Sequence, residues 1–164
     1  DDLPETNIIF TKANADMEGS VINKLIEDYT RKHSAKAISF SSMGQLAYLS
    51  TMKYVDGLIG NSSSGIVEAP SFKKATVNIG SRQKGRLKAL SVIDCVEEKD
   101  SILTAIQKAL SSDFQKSLKQ VTSPYGTGDT SIKIKNIFKT TDLSQIIFKK
   151  FHDLPYLKTL NESE

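Results

Sequence analysis

The sequence predicts an α/β fold built on a doubly wound parallel sheet, and three observations carry that expectation. From Asn7 onward, short β-branched or apolar runs alternate with longer stretches of helical periodicity, the pattern of successive strand–helix–strand units. Each run leads into a helical stretch, and right-handed crossovers then place helices on both faces of the sheet. Gly57-Leu58-Ile59-Gly60 is a short apolar run bounded by glycines, which fits a strand buried on both faces.

Taken in order, strands are predicted at 7–11, 36–40, 57–60, 75–79 and 91–96. Between the first two, residues 18–33 place Val21, Ile22, Leu25, Ile26 and Tyr29 on one stripe, an amphipathic crossover helix. Further helices are predicted at 43–52, carrying Leu46, Tyr48 and Leu49, and at 64–72, directly after a serine cluster. Residues 99–110 repeat Ile102, Leu103, Ile106 and Leu110 at helical spacing, with Asp100 near the N-terminal end, where a carboxylate suits the helix dipole. A short helix at 113–121, the loop Pro124-Tyr125-Gly126-Thr127-Gly128-Asp129, and helices at 130–138 and 143–151 complete the pattern. The result is a Rossmann-like domain spanning 1–151, with a loosely packed tail at 152–164.

A chain of 164 residues with 38% hydrophobic and 25% charged residues sits in the range of one soluble globular domain. Its single cysteine, Cys95, forms no internal disulfide, which suits a reducing cytosol, so the cytoplasm is the expected location. No apolar run approaches the roughly 18 residues of a membrane span, and the opening Asp-Asp-Leu-Pro-Glu is acidic where a signal peptide is basic. Lysines are dispersed and the net charge is +3, against a nucleic-acid surface, which needs a basic stripe. The first residue is not Met and reads as loop before a strand, so a piece of a longer protein is expected.

Doubly wound sheets bind ligands at the carboxyl ends of their strands. There lie Asn61-Ser62-Ser63-Ser64-Gly65, after the third strand. Glycine lets a ligand approach the backbone, hydroxyls donate to phosphate oxygens, and a helix start favours an anion. A phosphate or diphosphate is the natural ligand, and a plain helix cap is an equal reading of the same residues. Glu68 follows five residues after Ser63; it either complements the helix dipole or accepts hydrogen bonds from ribose hydroxyls. Arg82, Lys84 and Arg86 form a glycine-flanked basic loop after the fourth strand; by composition it is more commonly a solvated surface, and its place at a strand's carboxyl end favours phosphate. In the loop after the first strand, Asn14 or Asp16 is placed to meet a sugar, although a cap on the next helix is the better reading of Asp16 by itself. Ser41, Ser42, Met43 and Gly44, after the second strand, leave room for a flat base.

Several chemistries lack their residues. His33 and His152 have no Cys or carboxylate neighbours at metal-ligand spacing, so both read as surface histidines and no metal is expected. Neither GxGxxG nor GxxxxGK[ST] occurs, which argues against nicotinamide binding and P-loop hydrolysis. Ser63 has no evident histidine base, and GNSSSG is not the nucleophile elbow of a serine hydrolase.

In this order, Phe10-Thr11-Lys12-Ala13-Asn14-Ala15-Asp16, the GNSSSG segment with Glu68, Thr76-Val77-Asn78-Ile79-Gly80 and Arg82-Gln83-Lys84-Gly85-Arg86 resemble the hydrolysing UDP-N-acetylglucosamine 2-epimerases. These include bacterial enzymes of sialic acid synthesis and the epimerase part of the animal bifunctional enzyme. Pro124-Tyr125-Gly126 extends the likeness, which covers about residues 7–150. The resemblance implies the second half of a two-domain glycosyltransferase-B-type fold with its active site between the halves. By motif position, Ser62 and Ser63, with Ser64 and Gly65 beside them, become diphosphate ligands, Glu68 the ribose ligand and Arg82 a cleft residue near the diphosphate. Asn14 would line the nucleotide cleft, and the loop of Ser41, Ser42, Met43 and Gly44 would hold uracil.

In that family the C2 proton is removed and UDP expelled; water then adds to the glycal at C1 and N-acetylmannosamine leaves. No cofactor is implied. The proton-moving carboxylates belong to the N-terminal half, so no catalytic residue is expected in this chain, and the histidine that precedes the first strand in the family is missing here. The expected partners are UDP or UDP-N-acetylglucosamine, the N-terminal domain of the same protein and, at full length, further copies of it. Alone, the chain is expected to bind UDP weakly and turn over nothing. The alternatives are a UDP-2,4-diacetamido-sugar epimerase, a glycosyltransferase of the same fold type and a non-catalytic nucleotide-binding domain.

Overall fold

The computed structural model describes Leu3 and residues 5–13, 17–126, 128–144 and 147, with Met17 and Glu18 described in their backbone alone. The chain divides into two compact units, 1–124 and 125–164. The division falls ahead of the last described helix, whereas the sequence reading carries one domain to 151; that boundary lies outside the described residues.

In the first unit, β1 (Ile8–Thr11), α1 (Met17–Lys32), β2 (Ala37–Phe40), α2 (Gly44–Met52) and β3 (Gly57–Gly60) follow in turn. Next come α3 (Ser64–Val67), a 3-10 turn at Ala69–Phe72, β4 (Ala75–Ile79), β5 (Val92–Cys95), α4 (Lys99–Leu110), α5 (Ser112–Ser117) and a 3-10 turn at Leu118–Gln120. All strand pairings are parallel, as the alternation of strands and helices requires. They fall into two ladders, β1–β2 and β3–β4–β5, with none between β1 and β3 among the described residues, where one continuous sheet was expected.

Double winding is complete around β4. Ala75 and Val77 join Ala105, Ile106 and Ala109 of α4 and Leu118 in the main core, while the Thr76 hydroxyl donates to the Gly65 carbonyl of α3 at 2.8 Å on the other face. A Cβ on Gly65 would lie 2.4 Å from Thr76 Cγ2, so only glycine lets α3 sit this close to the strand.

The β1–β2 ladder is covered on one face. Phe10 meets Tyr29 of α1 edge-on at 5.9 Å, but Ile9, Ile38 and Phe40 on the opposite face are exposed. The expected apolar stripe of α1 is only half used, since Val21, Ile22 and Leu25 are exposed and Ile26 and Tyr29 half-buried. Length accounts for the mismatch: sixteen residues of helix span about 24 Å, while a four-residue strand spans about 13 Å.

The helix expected at 64–72 is broken in two. Pro70 sits at the start of a 3-10 turn whose end is Lys73 in the left-handed region at φ 56°. His33 is half-buried against Tyr29, with ring centroids 4.4 Å apart, rather than a plain surface residue; His152 lies outside the described residues.

The second unit contains α6 (Thr130–Thr140). Its Ile132, Ile134, Ile137 and Phe138 are exposed, and Asp129 pairs with Lys133 at 3.0 Å. The family resemblance implies that Ile137 and Phe138, with Ile146, Ile147, Phe148 and Phe151, form an exposed apolar patch. Ile147 is exposed, and Ile146, Phe148 and Phe151 lie outside the described residues. Of the helix expected at 143–151, Leu143, Ser144 and Ile147 are not helical and the remainder is likewise outside.

Candidate functional site

Parallel register brings the ends of β3, β4 and β5 to one edge, with Gly60 opposite Asn78 and Ile79 opposite Cys95. The loops that follow are therefore neighbours. Gly60 at φ 141° and Gly80 at φ 76° turn the chain out of β3 and β4, in a backbone region that L side chains rarely adopt.

The Asn61 carbonyl is where two of these loops meet. It accepts from Gln83 Nε2 at 2.7 Å and from Arg82 Nη1 at 3.1 Å. Arg82 is exposed, whereas Gln83 is 2% exposed, and its Oε1 is buried without a donor. The sequence reading missed Gln83 because a glutamine between Arg82 and Lys84 reads as part of an exposed basic loop.

The serine cluster is not a simple helix cap. Ser63 occupies the cap position of α3 but makes no side-chain capping bond; the Ser62 hydroxyl instead accepts from Ser64 N at 3.3 Å. Ser62 and Ser63 are exposed, and no acceptor for either backbone N–H exists among the described residues. Ser64 is held from outside its own loop: Tyr48 Oη, one turn into α2, donates to Ser64 Oγ at 2.9 Å. Tyr48 entered the sequence reading only as a helix-packing residue.

Two expectations about α3 are corrected. At four residues it is too short to carry the helix dipole invoked for an anion, which leaves hydroxyls and free N–H groups as the donors. Glu68 is its C-cap rather than a first-turn residue, and as N-cap of the 3-10 turn that follows it makes no side-chain capping bond. Glu68 Oε2 is buried with no donor among the described residues.

The base of the basic loop is pinned to β5. Lys88 Nζ contacts Asp94 Oδ1 and Oδ2 at 2.7 and 2.8 Å, and buried Asn78 donates to Oδ1 at 2.7 Å. Burial raises the Asp94 pKa, but the hydrogen bonds from Lys88 and Asn78 and the lysine charge outweigh it and leave the group below its ordinary value. Burial pushes the Cys95 thiol up, helped by Asp94 and Glu97, so Cys95 is held protonated and is a poor nucleophile.

At the other ladder, Asn23 of α1 clamps the loop after β1, its amide accepting from Ala13 N at 2.8 Å and donating to Ala13 O at 3.1 Å. Asn14, the predicted site residue beyond it, lies outside the described residues. Ser41 and Ser42 are exposed at the end of β2, Met43 half-buried, and Ser42 Oγ accepts from Gly44 N at 3.3 Å. No hydrogen bond among the described residues ties Ser41, Ser42 or Met43 to the serine loop; α2 and Tyr48 make that connection. The structure thus joins the loops of Ser62, Ser63, Ser64 and Arg82 directly, and the loop of Ser41 through a helix. Among the described residues no group of three His, Cys, Asp or Glu could hold a metal, and no helix is long and apolar enough to cross a membrane.

A family model described as UDP-N-acetylglucosamine 2-epimerase matches residues 1–139. The chain is 44% identical over 155 residues to the GDP/UDP-N,N'-diacetylbacillosamine 2-epimerase (hydrolyzing) of Campylobacter jejuni, covering 94% of this chain and 40% of that protein. It is 34% identical over 157 residues to the polysialic acid biosynthesis protein P7 of Escherichia coli, covering 93% and 39%. It is also 34% identical over 143 residues to the UDP-N,N'-diacetylbacillosamine 2-epimerase (hydrolyzing) of Legionella pneumophila, covering 87% and 36%. The chain spans about two fifths of the length of these relatives.

Proposed function

Because the chain belongs to the UDP-N-acetylglucosamine 2-epimerase family, we propose that it is the nucleotide-binding part of a hydrolysing sugar-nucleotide 2-epimerase that expels UDP. The observation that carries this reading is the meeting of two loops at the Asn61 carbonyl, which sets Arg82 beside a serine loop with uncommitted donors. The hydroxyls and N–H groups of Ser62 and Ser63, with Ser64 and Gly65, surround the diphosphate, and the Arg82 fork adds charge-assisted bonds. As the C–O bond to the sugar breaks, negative charge grows on the departing diphosphate, and these fixed donors stabilise it. Glu68 accepts from the ribose hydroxyls, as the acidic residue of dinucleotide folds does. Uracil lies against Ser41, Ser42 and Met43, and Asn14 lines the cleft.

The proton at C2 is moved by carboxylates of a preceding domain, in a cytoplasmic protein that associates with further copies of itself. The substrate is a UDP-activated 2-acetamido sugar. The names of the Campylobacter and Legionella relatives favour N,N'-diacetylbacillosamine as that sugar; the family description supports N-acetylglucosamine as the second reading.

Titrating UDP into the chain, with GDP in parallel, tests the site. Glu68→Gln and Arg82→Ala should each weaken UDP binding by about tenfold or more, the loss of a charge-assisted hydrogen bond. Unchanged affinity in both variants would remove the site assignment.

A further inference from the structure

We infer that Gln83 is a positioning residue for Arg82, acting through the Asn61 carbonyl rather than touching the ligand; this rests on the nucleotide site proposed above. An exposed arginine gains little from one bond to a mobile carbonyl, because its long side chain loses much rotamer entropy on being held. Here the carbonyl is not free to move. Gln83 Nε2 reaches it at 2.7 Å, the shorter of its two bonds, from a side chain that is 2% exposed, and Arg82 Nη1 takes the second acceptor position at 3.1 Å. A guanidinium has five N–H donors, so anchoring one end leaves the rest of the fork for phosphate oxygens. Order in the guanidinium is thus set before the ligand arrives, which lowers what binding must spend on immobilising it.

The unsatisfied Oε1 makes the idea testable. Replacing the whole amide by an apolar side chain removes the Nε2 bond but also a buried oxygen without a donor, and the Asn61 carbonyl keeps Arg82 as its donor, so the loss is offset in part. Gln83→Leu should therefore stay folded, and Gln83→Met, closer in length, is the second variant if it does not.

The experiment is a double-mutant cycle with UDP as probe, read by amide chemical shifts of the chain. Gln83→Leu should weaken UDP by about tenfold in the Arg82 background and less than about twofold in the Arg82→Ala background, the coupling expected within one hydrogen-bond network. Equal losses in both backgrounds would show that Gln83 does not act through Arg82 and would overturn the proposal. Binding that depends on Arg82 but is indifferent to both Gln83 variants would overturn it while leaving the nucleotide site intact. Binding indifferent to Arg82 and Glu68 as well would overturn both.

Discussion

Ala75, Thr76, Val77 and Asn78 of β4 are all buried, whereas of the eight residues in β1 and β2 only Ala37 is. The same strand–helix alternation thus yields one ladder whose central strand is covered on both faces, with Ile59 of β3 beside it exposed, and one ladder covered on a single face. Loop order follows that difference. Loops leaving β3 and β4 are cross-tied through Asn61, and the base of the second is pinned by Lys88 to Asp94. Among the described residues, the loop leaving β1 is held by the Asn23 clamp and by an ion pair of Lys12 with Glu27, and that leaving β2 by a single 3.3 Å bond within itself. In the proposed site the diphosphate meets the rigid ladder and the base the lightly held one.

The comparison is broken most directly by removing apolar volume from each side. Ile66 of α3, which packs on β4, is fully buried, and Ile66→Ala should cost about 2–5 kcal/mol. Ile38 on the uncovered face of β2 is 51% exposed, and Ile38→Ala should change stability by about 0.5 kcal/mol or less. Urea unfolding of the two variants measures the contrast; similar losses would mean that both ladders are equally packed.

A smaller effect comes from adding volume. Gly65→Ala forces a methyl against Thr76 Cγ2 and should cost about 1–3 kcal/mol. Thr76→Ser deletes that methyl and should recover part of the loss in the double variant, as thermal melts would register. Failure to recover would place the strain elsewhere than at the α3–β4 contact.

The smallest effect is electrostatic. Asp94 is held below its ordinary 3.8 in the folded chain, so acidification protonates the unfolded state first. Its contribution is complete above about pH 4 and is lost as the pH falls through the lower folded value. Asp94→Asn should make stability less sensitive to pH across that window, by a modest amount because the carboxylate is 57% exposed. Parallel pH profiles of unfolding would reveal it.

The ranges of all five strands are legible in the sequence to within a residue, because glycine borders and β-branched runs mark them. The broken helix after the serine loop is less so: Pro70 signals a stop, but apolar residues continue past it as Phe72. Periodicity identifies the apolar stripe of α1 but not how much of it a four-residue ladder can cover. In the candidate site, serines, glycines and cations at strand ends declare themselves by type and position. Tyr48 and Gln83 do not, since their roles depend on bonds to residues 16 and 22 positions away in the chain. Side chains that bridge two loops leave no local pattern.

The bond from Tyr48 to Ser64 also supplies an optical handle. The chain has five tyrosines and no tryptophan, so tyrosine emission is unmasked, and one of those phenols is hydrogen-bonded into the serine loop. Subtracting the spectrum of Tyr48→Phe from that of the unmodified chain isolates a fluorophore at the loop itself, without an attached dye.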